Sequence, residues 1–194
     1  MSTKNYLDEI LNLAPYFEGC EDPSEIWDGR ASKREQRKAY VRWLLNLAPW
    51  IAMISLTFRE DKPVDSAKAW YRKLVRELNE SVLGKRYRRI VGESYFSYAI
   101  GLEYQFRGVI HFHVIVDRPV DFALIHNRWG KWTGFAWTYL IKNPGKAVRY
   151  VVKYAIKHGQ LDVYKSNFKG EPIVRPGWWK QLGISDDKLS HEKA

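Results

Sequence analysis

Polar and apolar positions alternate with two distinct periods along the chain, and the switches between them mark its elements. Ser32-Lys33-Arg34-Glu35 is a capping-box pattern, in which the Ser oxygen and the Glu carboxylate satisfy the first free N–H groups of a helix. That helix is expected to run to Leu47, with Pro49 ending it. Residues 50–58 (WIAMISLTF) are short, apolar and partly β-branched, which predicts a central strand. A second helix starts near Asp65 or Ser66 and buries Trp70, Leu74 and Leu78, with Tyr71 and Val75 beside them, at spacings of three and four. The run Lys85-Arg86-Tyr87-Arg88-Arg89 reads as a basic loop, either a solvated turn or a phosphate contact.

Residues 95–116 have the two-residue period of a β-hairpin. Phe96, Tyr98, Ile100 and Leu102 alternate with Ser97, Ala99, Gly101 and Glu103, and Ile110, Phe112, Val114 and Val116 alternate with His111 and His113. One face is therefore core and the other open. A three-residue turn over 106–108, with Gly108 left-handed, sets Glu103 across from His111. Residues 121–128 suit a short helix and residues 134–141 a strand, and Pro144 opens a last helix that Gly159 stops. Strand, helix, strand, strand, helix, strand is the split β-α-β order. It predicts an α+β, ferredoxin-like or RRM-like antiparallel sheet with helices on one face and an extra N-terminal helical segment. The expected divisions are an acidic segment with a short helix over 1–31, a main domain over 32–159, and an irregular extension with a partly disordered tail over 160–194.

Composition narrows the function classes. The chain has 194 residues, 45% hydrophobic and 15% aromatic, which excludes a disordered polymer, and its one cysteine, Cys20, excludes an internal disulfide framework. No run is long and apolar enough to span a bilayer and no leader pattern opens the sequence, so a cytoplasmic protein, in a prokaryotic host cell, is expected. The formal net charge of +10 is unevenly placed: residues 1–31 hold two basic and seven acidic side chains, and the remainder holds 30 and 15. A basic body rich in Trp and Tyr suits single-stranded nucleic acid, a polyanion with faces to stack on.

Two groups of residues carry candidate chemistry. His111 and His113 share a strand face about 7 Å apart. With Glu103 across the hairpin they form a His/His/carboxylate set able to hold a metal while leaving positions for water and substrate. Small Ala99 and Gly101 leave room above them. On the last helix Val148, Val151, Val152, Ala155 and Ile156 form the apolar stripe, while Tyr150, Tyr154 and Lys157 share another face. A phenol with pKa near 10 is only about one part in a thousand ionised at pH 7, so a nucleophilic tyrosine needs a nearby cation or base. Lys153 and Lys157 each follow a tyrosine by three positions.

Ser55-Leu56-Thr57-Phe58, then Glu103 with His111-Phe112-His113, then Tyr150-x-x-Lys153-Tyr154-x-x-Lys157 together resemble the three ordered motifs of HUH endonucleases of the rolling-circle replication initiator class. The tandem tyrosines are similar to the two-tyrosine initiators of small single-stranded DNA bacteriophages. The resemblance covers residues 50–158. It implies that Glu103, His111 and His113 bind Mg²⁺ or Mn²⁺ to polarise a scissile phosphate. It further implies that Tyr150 and Tyr154 attack phosphorus in turn, with Tyr150 favoured for the first cut, and that Lys153 and Lys157 neutralise phosphate oxygens. The implied product is a 5′-phosphotyrosine link with a free 3′-hydroxyl. Single-stranded or hairpin DNA at a replication origin is the implied partner. No G-x-x-x-x-G-K-[S/T] loop occurs, so a host, plasmid or viral helicase and a polymerase are expected alongside. A conjugative relaxase or transposase shares this chemistry but fits the motif order and tyrosine count less well. A non-catalytic binding module would instead need base-stacking aromatics on the open face, where Glu103, His111 and His113 are expected. A histidine-triad hydrolase would need a further His at position 115, which is Ile.

Overall fold

A computed structural model describes residues 32–105, 108–158 and 161–169. The expectations for residues 1–31, for turn residues 106 and 107, for Gly159 and for the tail beyond 169 lie outside the described residues.

Helix α1 (Lys33–Leu47) opens on the expected capping box: the Glu35 N–H donates to Ser32 Oγ at 3.3 Å and the Ser32 N–H to Glu35 Oε2 at 2.7 Å. Near its far end the indole of Trp50 donates to the Leu44 carbonyl at 2.6 Å, satisfying an acceptor of the last turn. After α1 come β1 (Ala52–Phe58), α2 (Val64–Leu83), a short α3 (Arg88–Val91), β2 (Tyr98–Tyr104), β3 (Ile110–Val116), α4 (Phe122–Trp132), β4 (Gly134–Leu140), α5 (Pro144–His158) and β5 (Leu161–Tyr164). The five strands form one sheet in the order β4-β1-β3-β2-β5, and every neighbouring pair is antiparallel. The first four give the strand arrangement of the split β-α-β fold, as expected.

Strand parity separates the two sheet faces. Ile54, Leu56, Phe58, Ile100, Leu102, Phe112 and Val114 are buried beneath α2 and α4, which contribute Tyr71, Leu74, Leu78, Ile125 and Trp129. Burying such aliphatic or aromatic side chains contributes about 1.5–3 kcal/mol each. On the opposite face Met53, Ala99 and Ile115 pack against Val148, Val151 and Val152 of α5 and Val41 and Leu44 of α1. The expectation of helices on one face therefore holds for α2 and α4, and α1 with α5 adds a second layer over part of the other face.

Three further differences have local causes. The basic run at 85–89 is more than a loop, since Tyr87 is buried as its anchor and Arg88 and Arg89 begin α3, leaving the four cations exposed. Trp70 is only partly buried on α2, where Ala67 and Tyr71 take the deeper positions. Residues 161–164 are a strand rather than irregular chain, because the open edge of β2 offers Tyr98–Gly101 as pairing partners.

Gly101 allows α5 to approach the sheet: a Cβ there would stand 2.7 Å from the Val151 carbonyl oxygen and 3.3 Å from Val151 Cγ1. Gly101→Ala is expected to lower stability by about 1–3 kcal/mol in urea unfolding, the usual scale of overpacking. Gly130→Ala, placed in α4 where no atom lies within 4 Å, should be neutral or stabilising in the same measurement.

Candidate functional site

Strand register places the candidate residues in rows on the partly open face. Thr57 pairs with His111, which pairs with Glu103; Ser55 pairs with His113, which pairs with Gly101. The expected Glu103–His111 pairing is thus present along the backbone. The carboxylate reaches diagonally, however, and accepts from His113 Nε2 at 3.0 Å. The two imidazoles lie 4.4 Å apart between centroids, closer than bare strand spacing.

Residues on β1 and the hairpin orient these rings, a role the sequence reading did not assign to them. Thr57 Oγ1 lies 2.8 Å and Gln105 Nε2 2.9 Å from His111 Nδ1, and Ser55 Oγ lies 3.4 Å from His113 Nδ1. Parity carried the signal for two of them, because Ser55 and Thr57 are the polar residues of an otherwise apolar strand. His111 Nε2 is buried without a hydrogen-bond partner.

Helix α5 lays both tyrosines on the same imidazole. The Tyr154 ring stacks on His113 at 4.6 Å, and the Tyr150 ring meets it edge-on at 4.6 Å. The tyrosines contact each other at 5.2 Å. They are not equivalent: Tyr154 is 3% exposed and hydrogen-bonds to Tyr150 and Glu103, whereas Tyr150 is 41% exposed. The Lys153 ammonium sits 4.9 Å over the Tyr154 ring. Lys157 is exposed on the next turn, and no contact among the described residues brings it to the cluster.

Burial sets the protonation of this cluster. It pushes His111 down to about 4, aided by the charge of His113 and opposed by Glu103. It also lowers His113, against the hydrogen bond from Glu103. Burial works to raise Glu103, but hydrogen bonds from His113 and Tyr154 outweigh it and hold the carboxyl below its ordinary value. Tyr154 is raised well above the ordinary phenol value by burial and by its bonds to Tyr150 and Glu103. At neutral pH the site therefore holds two neutral imidazoles, one carboxylate and a protonated Tyr154.

Among the described residues no three His, Cys, Asp or Glu side chains stand as a formed metal cage. The expected convergence of three ligands is closed by the Glu103–His113 hydrogen bond. The donor set nevertheless fits a divalent cation, since it comprises two neutral imidazoles and a carboxylate, with the unpartnered His111 Nε2 among them. In the tautomer with the proton on Nδ1, Thr57 accepts from His111 and the Nε2 lone pair is left for a ligand.

The same face carries a second feature. Phe135, Trp137 and Tyr139 of β4 pair with Thr57, Ser55 and Met53, and so extend the rows past the cluster. All three are well exposed. Aromatics were expected to be absent from this face, which in fact holds both kinds of residue.

Residues 51–159, more than half of the chain, match the family described as replication-associated protein ORF2. The chain belongs to this family. No curated protein and no solved structure matches the chain. The span matched to the ORF2 family contains every side chain of the cluster, while α1 and β5 lie outside it. Membership in this replication-associated family ties the protein to DNA replication. No helix among the described residues is long and apolar enough to cross a membrane.

The lowered histidines give a pH dependence. Between about 6.5, the unfolded value, and about 4 the unfolded chain binds protons that folded His111 does not, so stability falls as pH drops through that window. Urea unfolding in EDTA at pH 7 and pH 5 should show this loss, and His111→Gln should reduce it. NMR titration should find the His111 ring still neutral at pH 6.

Proposed function

We propose that the protein is an HUH-type replication initiator of the two-tyrosine kind, which nicks and rejoins single-stranded DNA at an origin by tyrosine transesterification. The observation that carries this reading is the contact of both α5 phenols with His113 beside Glu103, all within the span matched to the replication-associated family. A purely binding module has no use for two phenols gathered at a His/Glu cluster.

In this reading Tyr150 makes the first attack, because its phenol reaches the surface while Tyr154 is held beneath it. The phenolic oxygen bonds to phosphorus as the P–O3′ bond breaks. Tyr150 becomes joined to the 5′-phosphate, and the departing 3′-oxygen takes up a proton. Hydrogen bonds from Tyr150 to Tyr154 and from Tyr154 to the Glu103 carboxylate offer a path for the phenolic proton. Lys153 offsets charge on the phosphate oxygens, and Lys157 meets the strand further along α5. Tyr154 then serves the second transfer that releases or rejoins the strand.

His111, His113 and Glu103 would hold Mg²⁺ or Mn²⁺, which when bound supplies Lewis-acid polarisation of the scissile phosphate. Thr57 and Ser55 keep the imidazoles facing the substrate. A separate helicase and a polymerase would act on the nicked product and its 3′-hydroxyl in the cytoplasm of a prokaryotic host.

Incubation with labelled origin-like single-stranded DNA and Mn²⁺ should yield a covalent protein–DNA adduct on a denaturing gel. EDTA should abolish it, and so should the double change Tyr150→Phe, Tyr154→Phe. Absence of any adduct with the wild-type chain, at DNA affinity equal to the double variant's, would leave a binding module. His111→Ala is expected to reduce cleavage at least a hundredfold while leaving most DNA affinity intact; parallel loss of both would make the histidine structural.

A further inference from the structure

Helix α5 covers the sheet face over β2 and β3, packing Val148, Val151 and Val152 on Ala99 and Ile115. The β4 side of that face remains open, and β4 is an edge strand. There Phe135, Trp137 and Tyr139 are 68%, 69% and 44% exposed. A folded domain does not ordinarily leave three large aromatic side chains in one row to water. Alternate residues of a strand are about 6.8 Å apart, twice the roughly 3.4 Å separation of stacked bases, so adjacent rings leave the space of one flat base between them.

Charge around the row selects the occupant. From residue 122 to residue 161 the chain carries seven Lys and Arg and no Asp or Glu. One of these, Arg128, is paired with Glu77. The Arg59 guanidinium lies 5.7 Å over the Phe135 ring, so a cation also stands at that end of the row. A second copy of this chain would bring the same cations and repel. A duplex hides its base faces. An unpaired polynucleotide supplies both the negative charge and the flat apolar faces.

We propose that Phe135, Trp137 and Tyr139 form a base-stacking platform that grips the unpaired strand alongside Tyr150, holding its flanking nucleotides by stacking rather than by charge. Tyr139 connects the row to the cluster: its hydroxyl donates to Met53 Sδ at 2.8 Å, and it lies near enough to Tyr150 to feel that phenol electrostatically. The platform deepens the single-stranded substrate proposed above and rests on that reading.

The test is a fluorescence titration of the full chain with a twelve-residue oligothymidylate in EDTA, which separates binding from cleavage. Trp137→Ala should weaken binding about tenfold or more, within the range of one lost base stack. It should also remove part of the tryptophan quenching on binding and leave the salt dependence unchanged, since no phosphate contact is lost. Trp137→Phe should recover most of the affinity. Both changes are at exposed positions, and unchanged thermal unfolding confirms the fold. Wild-type affinity in Trp137→Ala overturns the proposal, as does a wild-type dimer in sedimentation that Trp137→Ala dissociates. If the wild type forms the covalent adduct while Trp137→Ala binds normally, the platform fails and the nicking reading stands. If Trp137→Ala weakens binding and no adduct forms, the platform stands and nicking fails.

Discussion

The contact between α5 and the sheet is the constraint on which the rest of the site depends. Val148, Val151 and Val152 are fully buried against Met53, Ala99 and Ile115, and they fix the rotation of the helix about its axis. With that rotation set, Tyr150 and Tyr154 have one place to go, above His113. Gly101 sets the height, since a side chain there would meet the Val151 carbonyl. Apolar packing at one end of the sheet thus determines the distance between polar groups at the other. The imidazoles are held in turn by Thr57, Gln105 and Ser55, so each reactive group is positioned by something outside itself.

Much of this was legible in the sequence because strand geometry has a rigid period. Once residues 50–58, 95–116 and 134–141 are taken as strands, parity alone puts Glu103, His111 and His113 on the face opposite Ile54, Leu56 and Phe112. Helical spacing put both tyrosines on one side of α5 for the same reason. Choices made by neighbouring elements were not legible. Parity places Glu103 opposite His111, but rotamer and burial send its carboxylate to His113. Spacing makes Tyr150 and Tyr154 equivalent, whereas the sheet beneath α5 buries only Tyr154. Lys157 shares the tyrosines' helical face but lies beyond the cluster. Four-residue β5 has no strong pattern of its own and exists because β2 offers an edge. The β4 aromatics could have been assigned to the open face by parity; that they remain uncovered depends on where α5 stops covering the sheet.

Electrostatically the site runs against the rest of the protein. The body is strongly basic, yet at its chemical centre are a carboxylate held ionised and two imidazoles held neutral by burial. Cations at the periphery attract a polyanion, while the centre is a small pool of electron-pair donors suited to a cation. Lys153 stands at the boundary between the two zones, over the Tyr154 ring.

The order of the elements in the chain also sets a sequence in time. Glu103, His111 and His113 are translated well before α5; with about forty residues separating His113 from Tyr150, synthesis at about 5–20 residues per second delays the tyrosines by about 2–8 s. During that interval the emerging chain holds the donor groups without the phenols. The cluster closes only when α5 has left the ribosome and docked, so an unfinished chain has no means of attaching itself to DNA.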